Sequence, residues 1–188
     1  FNLDEFEESI GINSVHGETG YSTIERQSIR PALDVLGFGD IAKIEGPALI
    51  FDDTGTFEAI SIADSLLQKK IQVTMVSRHD SVGARLNYPP VTAGSARERL
   101  YSGNFDFIGS HHLLSITKSD VEIGVLFTSR SRTIAAKTVV FVGFNEPNRE
   151  LWQSLQGNGP PSHMIGDVRG RNSIMTAIHA GNELGRRI

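Results

Sequence analysis

The residues with the plainest chemical implication form one run, Phe51-Asp52-Asp53-Thr54-Gly55-Thr56-Phe57-Glu58-Ala59, between an apolar tetrapeptide and an amphipathic segment. In a dinucleotide-binding unit a glycine-rich turn at this place lets backbone approach a pyrophosphate. The helix that follows supplies N–H donors and a positive field. Here Phe51, Asp53 and Thr56 stand where the three glycines of that fingerprint would fall, and Gly55 alone remains, between the expected positions. Side chains therefore take the space of the phosphates, and Asp52 and Asp53 set negative charge beside an anionic ligand. The architecture around the loop reads as nucleotide-binding. The loop itself reads as one that binds no dinucleotide, with its acidic pair capping the helix at Thr54 to Glu58.

Other candidates are weaker. Arg78, in Ser77-Arg78-His79, sits where proteins that bind NADP often keep a cation for the 2′-phosphate; a solvated strand-end arginine is the commoner reading, and the acidic loop weighs against the cation role. His111 and His112 are adjacent, so on a strand their side chains diverge and no single metal takes both. No serine, histidine and acid fall in a nucleophile-elbow pattern. The chain has no cysteine, which excludes a thiolate zinc site or a cysteine-ligated cluster within it and fits a reducing, cytoplasmic setting. No catalytic and no metal residue is assigned.

The elements that hold these residues follow from apolar patterning. Ala48 to Phe51, bounded by Gly46-Pro47 and Asp52-Asp53, reads as a buried parallel strand. Phe57, Ile60, Ala63, Leu66 and Leu67 mark one face of a helix closed by Lys69 and Lys70. Ile71 to Val76 is a second strand, which completes a βαβ unit of about 30 residues. A helix is expected over Ala93 to Tyr101 and a strand over Phe105 to Ser110. Strands over Leu113–Thr117, Val121–Thr128 and Arg132–Ala136 then form a meander, with a hairpin at Lys118-Ser119-Asp120. Thr138 to Val142 returns to the core sheet. Pro31 to Gly39 reads as a short helix with proline in its first turn. Beyond the core, Arg149 to Leu155 is a brief helix and His163 to Ile165 a short strand. Ile174 to Ile188 is a helix capped by Asn172 or Ser173. The fold class is α/β, a Rossmann-like parallel sheet flanked by helices with an antiparallel β-meander. The expected division is an irregular segment 1–44, a domain 45–144 and a return segment 145–188.

Composition bounds the function classes. Over 188 residues, 39% are hydrophobic and 21% charged, ordinary values for a soluble domain. The net charge of -4, with cations spread along the chain, gives no reason to expect nucleic acid. No apolar run has the length of a membrane helix. Phe1 is not a natural initiator, so the chain is expected to begin inside a longer one.

Val76-Ser77-Arg78-His79-Asp80-Ser81-Val82-Gly83-Ala84-Arg85-Leu86-Asn87, following the Ile50 to Lys70 segment, resembles the C-terminal region of the trimethylamine dehydrogenase and 2,4-dienoyl-CoA reductase group of NADH:flavin oxidoreductases. Pro31 to Leu36 resembles the lead into that region. Ile165-Gly166-Asp167-Val168-Arg169, with the closing Gly185-Arg186-Arg187, resembles its last strand and helix. The likeness spans roughly residues 31–188 and rests on an ordered series rather than on one motif. It implies a parent with an FMN-bearing barrel, a four-cysteine 4Fe-4S cluster and FAD-like and NAD-like Rossmann domains. Residues 45–144 would be the NAD-like domain and 145–188 the return into the FAD-like one. The resemblance makes Asp167 a contact to the ribose or ribityl part of a bound FAD or ADP, with Ser173 at the following helix start and Arg169 complementing phosphate. Alternatively Asp167 only orders its turn.

Two functions follow from this reading. One is a nucleotide-binding-like module, non-catalytic by itself, whose partner is the remainder of the parent chain and whose candidate ligand is an adenine nucleotide. The other is a working NAD(P)H-binding domain that passes electrons to a flavin.

Overall fold

The computed structural model describes residues 29–31, 44–86, 91–144, 147–157, 161–170 and 174–187. The chain divides into two compact units, Phe1–Gly143 and Phe144–Ile188. The first holds a five-stranded parallel sheet built from β1 (Ile29–Pro31), β2 (Ala48–Asp52), β3 (Val73–Ser77), β4 (Phe105–Ile108) and β8 (Thr138–Val142), in the order β1-β8-β2-β3-β4. Helix α1 (Phe57–Gln68) carries the chain from β2 to β3, and α2 (Val91–Tyr101) from β3 to β4. A separate three-stranded antiparallel sheet of β5 (His111–Ile116), β6 (Asp120–Val125) and β7 (Ser131–Ala135) precedes the return through β8.

The apolar runs in β2 and β8 are continuous because both faces of the sheet are covered. Ala48, Ile50, Val73, Met75, Val140 and Val142 point to one face, into a core with Ala59, Ile62 and Leu66 of α1 and Ala96 and Leu100 of α2. Their alternates Leu49, Phe51, Val76, Val139 and Phe141 point to the other, against Leu113, Ile116, Val121, Ile123 and Ala136. Phe51 and Phe141 stack there with ring centroids 5.5 Å apart. The expected α/β sheet with its antiparallel meander is thus present, and the meander covers the face opposite the helices.

Most expected elements form within a residue or two of their places. The second strand starts at Val73 rather than Ile71, for a physical reason. Ile71 N donates to Leu66 O (3.1 Å) and Lys70 takes φ +63°, a left-handed helix stop that consumes those residues. Phe57 stands half out at the start of α1, and Ile62 completes the buried face. Pro31 ends β1, paired with Phe141, instead of opening a helix; residues 32–39 lie outside the described ones. His163 to Ile165 make no strand.

The second unit contains α3 (Glu150–Ser154), a 3-10 turn (Gly166–Val168) and α4 (Ile174–Gly185). None of the three has a buried residue, and Leu151, Ile174, Met175 and Ile178 are exposed. Arg149 joins two of its parts by donating through Nε to Val168 O (3.2 Å) and through Nη2 to Arg169 O (3.1 Å).

Phe51 is the largest fully buried side chain and meets β8 and the meander together. Phe51→Ala should lower the urea-unfolding free energy of the first unit by about 3–5 kcal/mol. A loss under about 1 kcal/mol would mean that the meander does not pack on the sheet as described.

Candidate functional site

Strand order reverses beside β2, where chain growth passes from β3 and β4 to β8. In open α/β sheets ligands bind outside the carboxyl ends of the strands at such a point. Here that place is closed by the chain's own groups. Asp53 N donates to Val142 O (3.0 Å), bridging the ends of β2 and β8. Asp52, 1% exposed, ends the central strand, and its Oδ1 accepts from Thr54 N (3.0 Å), Thr54 Oγ1 (2.9 Å) and Gly55 N (2.8 Å). Two backbone donors of the kind that would face a pyrophosphate are therefore spent on an internal carboxylate.

Gly55 has φ +64°, which a side chain would strain. A Cβ there would come within 2.9 Å of His79 Cδ2 and 3.1 Å of Arg85 Cγ, so the imidazole and the arginine stem lie directly on the glycine. Arg85 N donates to Gly55 O (2.9 Å). Ser77 Oγ donates to Asp52 O (2.7 Å) and accepts from His79 N (3.1 Å), which ties the ends of β2 and β3 and sets the histidine over the loop. The helix itself starts at Phe57, and the side chain of its N-cap residue Thr56 does not cap it. The acidic pair is thus no helix cap: Asp52 organises the turn, and Asp53 faces Arg78, Oδ1 to Nε 3.0 Å.

Electrostatics follow from burial. Desolvation pushes the Asp52 carboxyl above its ordinary value. The bonds from Gly55 and Thr54 and the charge of His79 pull it down without cancelling that effect. Glu58 is raised by desolvation and then by Asp52. On the meander, His111 Nδ1 donates to Gly109 O (2.7 Å). His112 packs where a Cβ on Gly124 would approach its ring to 2.8 Å, and its buried Nδ1 has no partner. Desolvation, then the charges of Arg78 and His111, depress the His112 value.

Of the residues singled out from sequence, Gly55 and Arg78 meet in this one cluster, through Asp53 and His79. Asp167 and Arg169 lie in the second unit, both exposed, at and just after the 3-10 turn. Ser173 lies outside the described residues. Sequence reasoning passed over His79 and Arg85, which cover the loop, and the role of Asp52. An aspartate two and three residues ahead of its own amide donors is the signature of an Asx turn, and it was legible in Asp52-Asp53-Thr54-Gly55.

No protein-family model and no curated protein matches the sequence. Solved structures do. Histamine dehydrogenase from Rhizobium sp. 4-9 superposes with a TM-score of 0.76 at 19% identity, over 88% of this chain and 27% of that one. The 6-hydroxypseudooxynicotine amine oxidase from Pseudomonas geniculata N1 gives 0.77 at 20%, over 91% and 26%. A 2-naphthoyl-CoA reductase gives 0.70 at 21%, over 92% and 26%. These are enzymes of the trimethylamine dehydrogenase and 2,4-dienoyl-CoA reductase group, and the resemblance read in the sequence is met at the level of fold. The chain spans about a quarter of the length of the structures it matches.

Two outcomes test this geometry. Asp52→Asn keeps an oxygen for the three donors and removes the buried charge, so its stability at neutral pH should stay within about 1 kcal/mol of wild type. Asp52→Ala strands those donors and should cost about 2–4 kcal/mol. The folded value of Asp52 is the higher one, so its contribution is greatest below the ordinary carboxylate range and falls as pH rises toward the raised value. Urea melts of both variants decide; equal losses would show that Oδ1 does not organise the turn. His112 has the opposite sign. Its folded value is depressed, so its contribution is complete above about pH 6.5 and is lost as pH falls toward that depressed value. Between pH 7.5 and 5.5 wild type should lose more stability than His112→Gln, and parallel curves would remove the assignment.

Proposed function

We propose that this chain is a Rossmann-like module of a larger flavin-dependent oxidoreductase, and that its phosphate loop has become a structural turn. The observation that carries the reading is the Asp52 carboxylate holding the Thr54 and Gly55 amides beneath the His79 ring. A dinucleotide pyrophosphate needs those donors free and that space empty. The residues present do not fit it. Arg78, the candidate for a 2′-phosphate, faces Asp53 instead.

Residues 45–144 stand for the NAD-like domain of such a parent, and 145–188 for the chain's return into an FAD-like one. An FMN and a 4Fe-4S cluster would belong to the parent, since this chain has no cysteine to ligate a cluster. The second unit supports the same division: its helices bury nothing and leave Leu151, Ile174, Met175 and Ile178 in solvent, as a piece would that completes its core with polypeptide from elsewhere. In this reading Asp167 and Arg169 face an FAD or ADP only once that core is complete. Among the described residues no helix is long and apolar enough to cross a membrane, and we place the parent in the cytoplasm.

Calorimetric titration with NADH and NADPH should give no heat beyond dilution, and Arg78→Ala should leave that result unchanged. Micromolar NADPH binding that Arg78→Ala abolishes would replace this reading with an electron-input domain.

A further inference from the structure

The segment between β3 and α2 is tied down at more points than a connection requires. His79 O accepts from Ser110 N (3.0 Å), which anchors its start to the end of β4. Val82 is 2% exposed and belongs to the core between the sheet and its helices. Gly83 has φ +63°, and a Cβ there would fall 2.8 Å from Leu86 Cδ1 and 3.0 Å from Ile60 Cδ1. The chain turns there against α1 in a conformation that favours glycine. Leu86 N donates to Gly83 O (3.0 Å), and Arg85 N reaches Gly55 O. Arg97 of α2 donates from Nε (2.9 Å) and Nη2 (2.6 Å) to the single carbonyl of Val82.

From this geometry we infer that residues 79–86 are a strap that holds the phosphate loop shut, with Arg97 as its lock. The inference rests on the reading of residues 52–56 given above and names what enforces it. A guanidinium gripping one carbonyl with two charge-assisted bonds fixes the strap's middle to α2. With the middle fixed, Arg85 N lies on Gly55 and the His79 ring lies across it. The class of ligand shut out is the pyrophosphate of a dinucleotide. The acidic pair repels such a ligand, and the strap takes its space. Arg97 touches neither the loop nor His79 in these bonds; it is a positioning residue that acts through Val82.

Hydrogen exchange of the whole 188-residue chain, followed by mass spectrometry, tests the lock in wild type, Arg97→Ala and Arg97→Lys. Wild type should exchange slowly over 53–58 and 80–86. Arg97→Ala should speed both by about ten-fold while the strand peptides 73–77 and 138–142 keep their rates. Arg97→Lys, with one donor group left for Val82 O, should fall between. Unchanged protection over 80–86 in Arg97→Ala overturns the lock. Faster exchange over 80–86 with none over 53–58 overturns the claim that the strap shuts the loop. Should Arg97→Ala lose its cooperative urea transition, Arg97→Lys decides by the same two comparisons. Binding of NADPH to wild type in calorimetry would sink the reading of the loop instead, a result separate from any of these.

Discussion

A carboxylate at the inner end of a central strand is out of reach of water and must find its donors within a few residues or lose its charge. Asp52 finds them in Thr54 and Gly55, and that choice determines the rest of the region. The chain turns back on itself at Gly55 instead of running outward along the start of α1. The amides point inward, and the covering residues His79 and Arg85 approach a closed surface rather than a cleft. Burial raises the carboxyl even so. The turn is therefore held by donors that only partly offset desolvation, and it tolerates that because the bonds order the backbone at the point where β2, β3 and β8 meet.

The meander belongs to the same logic. A parallel sheet needs both faces covered, and α1 and α2 cover only one. The antiparallel strands between β4 and β8 supply the second cover, turning Leu113, Ile116, Val121 and Ile123 into the core with partly buried residues between them. Gly109 and Gly124 let this cover come close. A Cβ on Gly109 would lie 2.7 Å from His79 O, and one on Gly124 would press on His112. The two histidines thus sit at the joint between the meander and the strand ends, and their unpartnered nitrogens belong to packing at that joint.

The strands of the core were legible because two-sided burial writes itself as unbroken apolar runs, Ala48 to Phe51 and Thr138 to Val142. Their layering was less so: periodicity says that a face is covered, not by what, and nothing in the pattern of β2 or β8 assigned one face to the helices and the other to the meander. Pro31 in a strand and His163 to Ile165 outside one show the limit for three-residue elements, whose state is set by neighbours far along the chain. At the site, the missing glycines correctly signalled a loop without room for phosphates. The agents of closure were not legible, because His79 and Arg85 reach Gly55 from 24 and 30 residues along the chain, through a segment whose path periodicity does not describe.

Likeness of fold to an amine dehydrogenase at about one-fifth identity speaks to architecture, and architecture alone does not carry an activity. What separates inheritance of shape from inheritance of function is whether the atoms a ligand needs are free. In the first unit they are not, since the amides, the space above Gly55 and the Arg78 charge each have an internal partner. In the second unit Asp167 and Arg169 are exposed, beside helices in which no residue is buried. The first unit, by contrast, closes a core on both faces of its sheet.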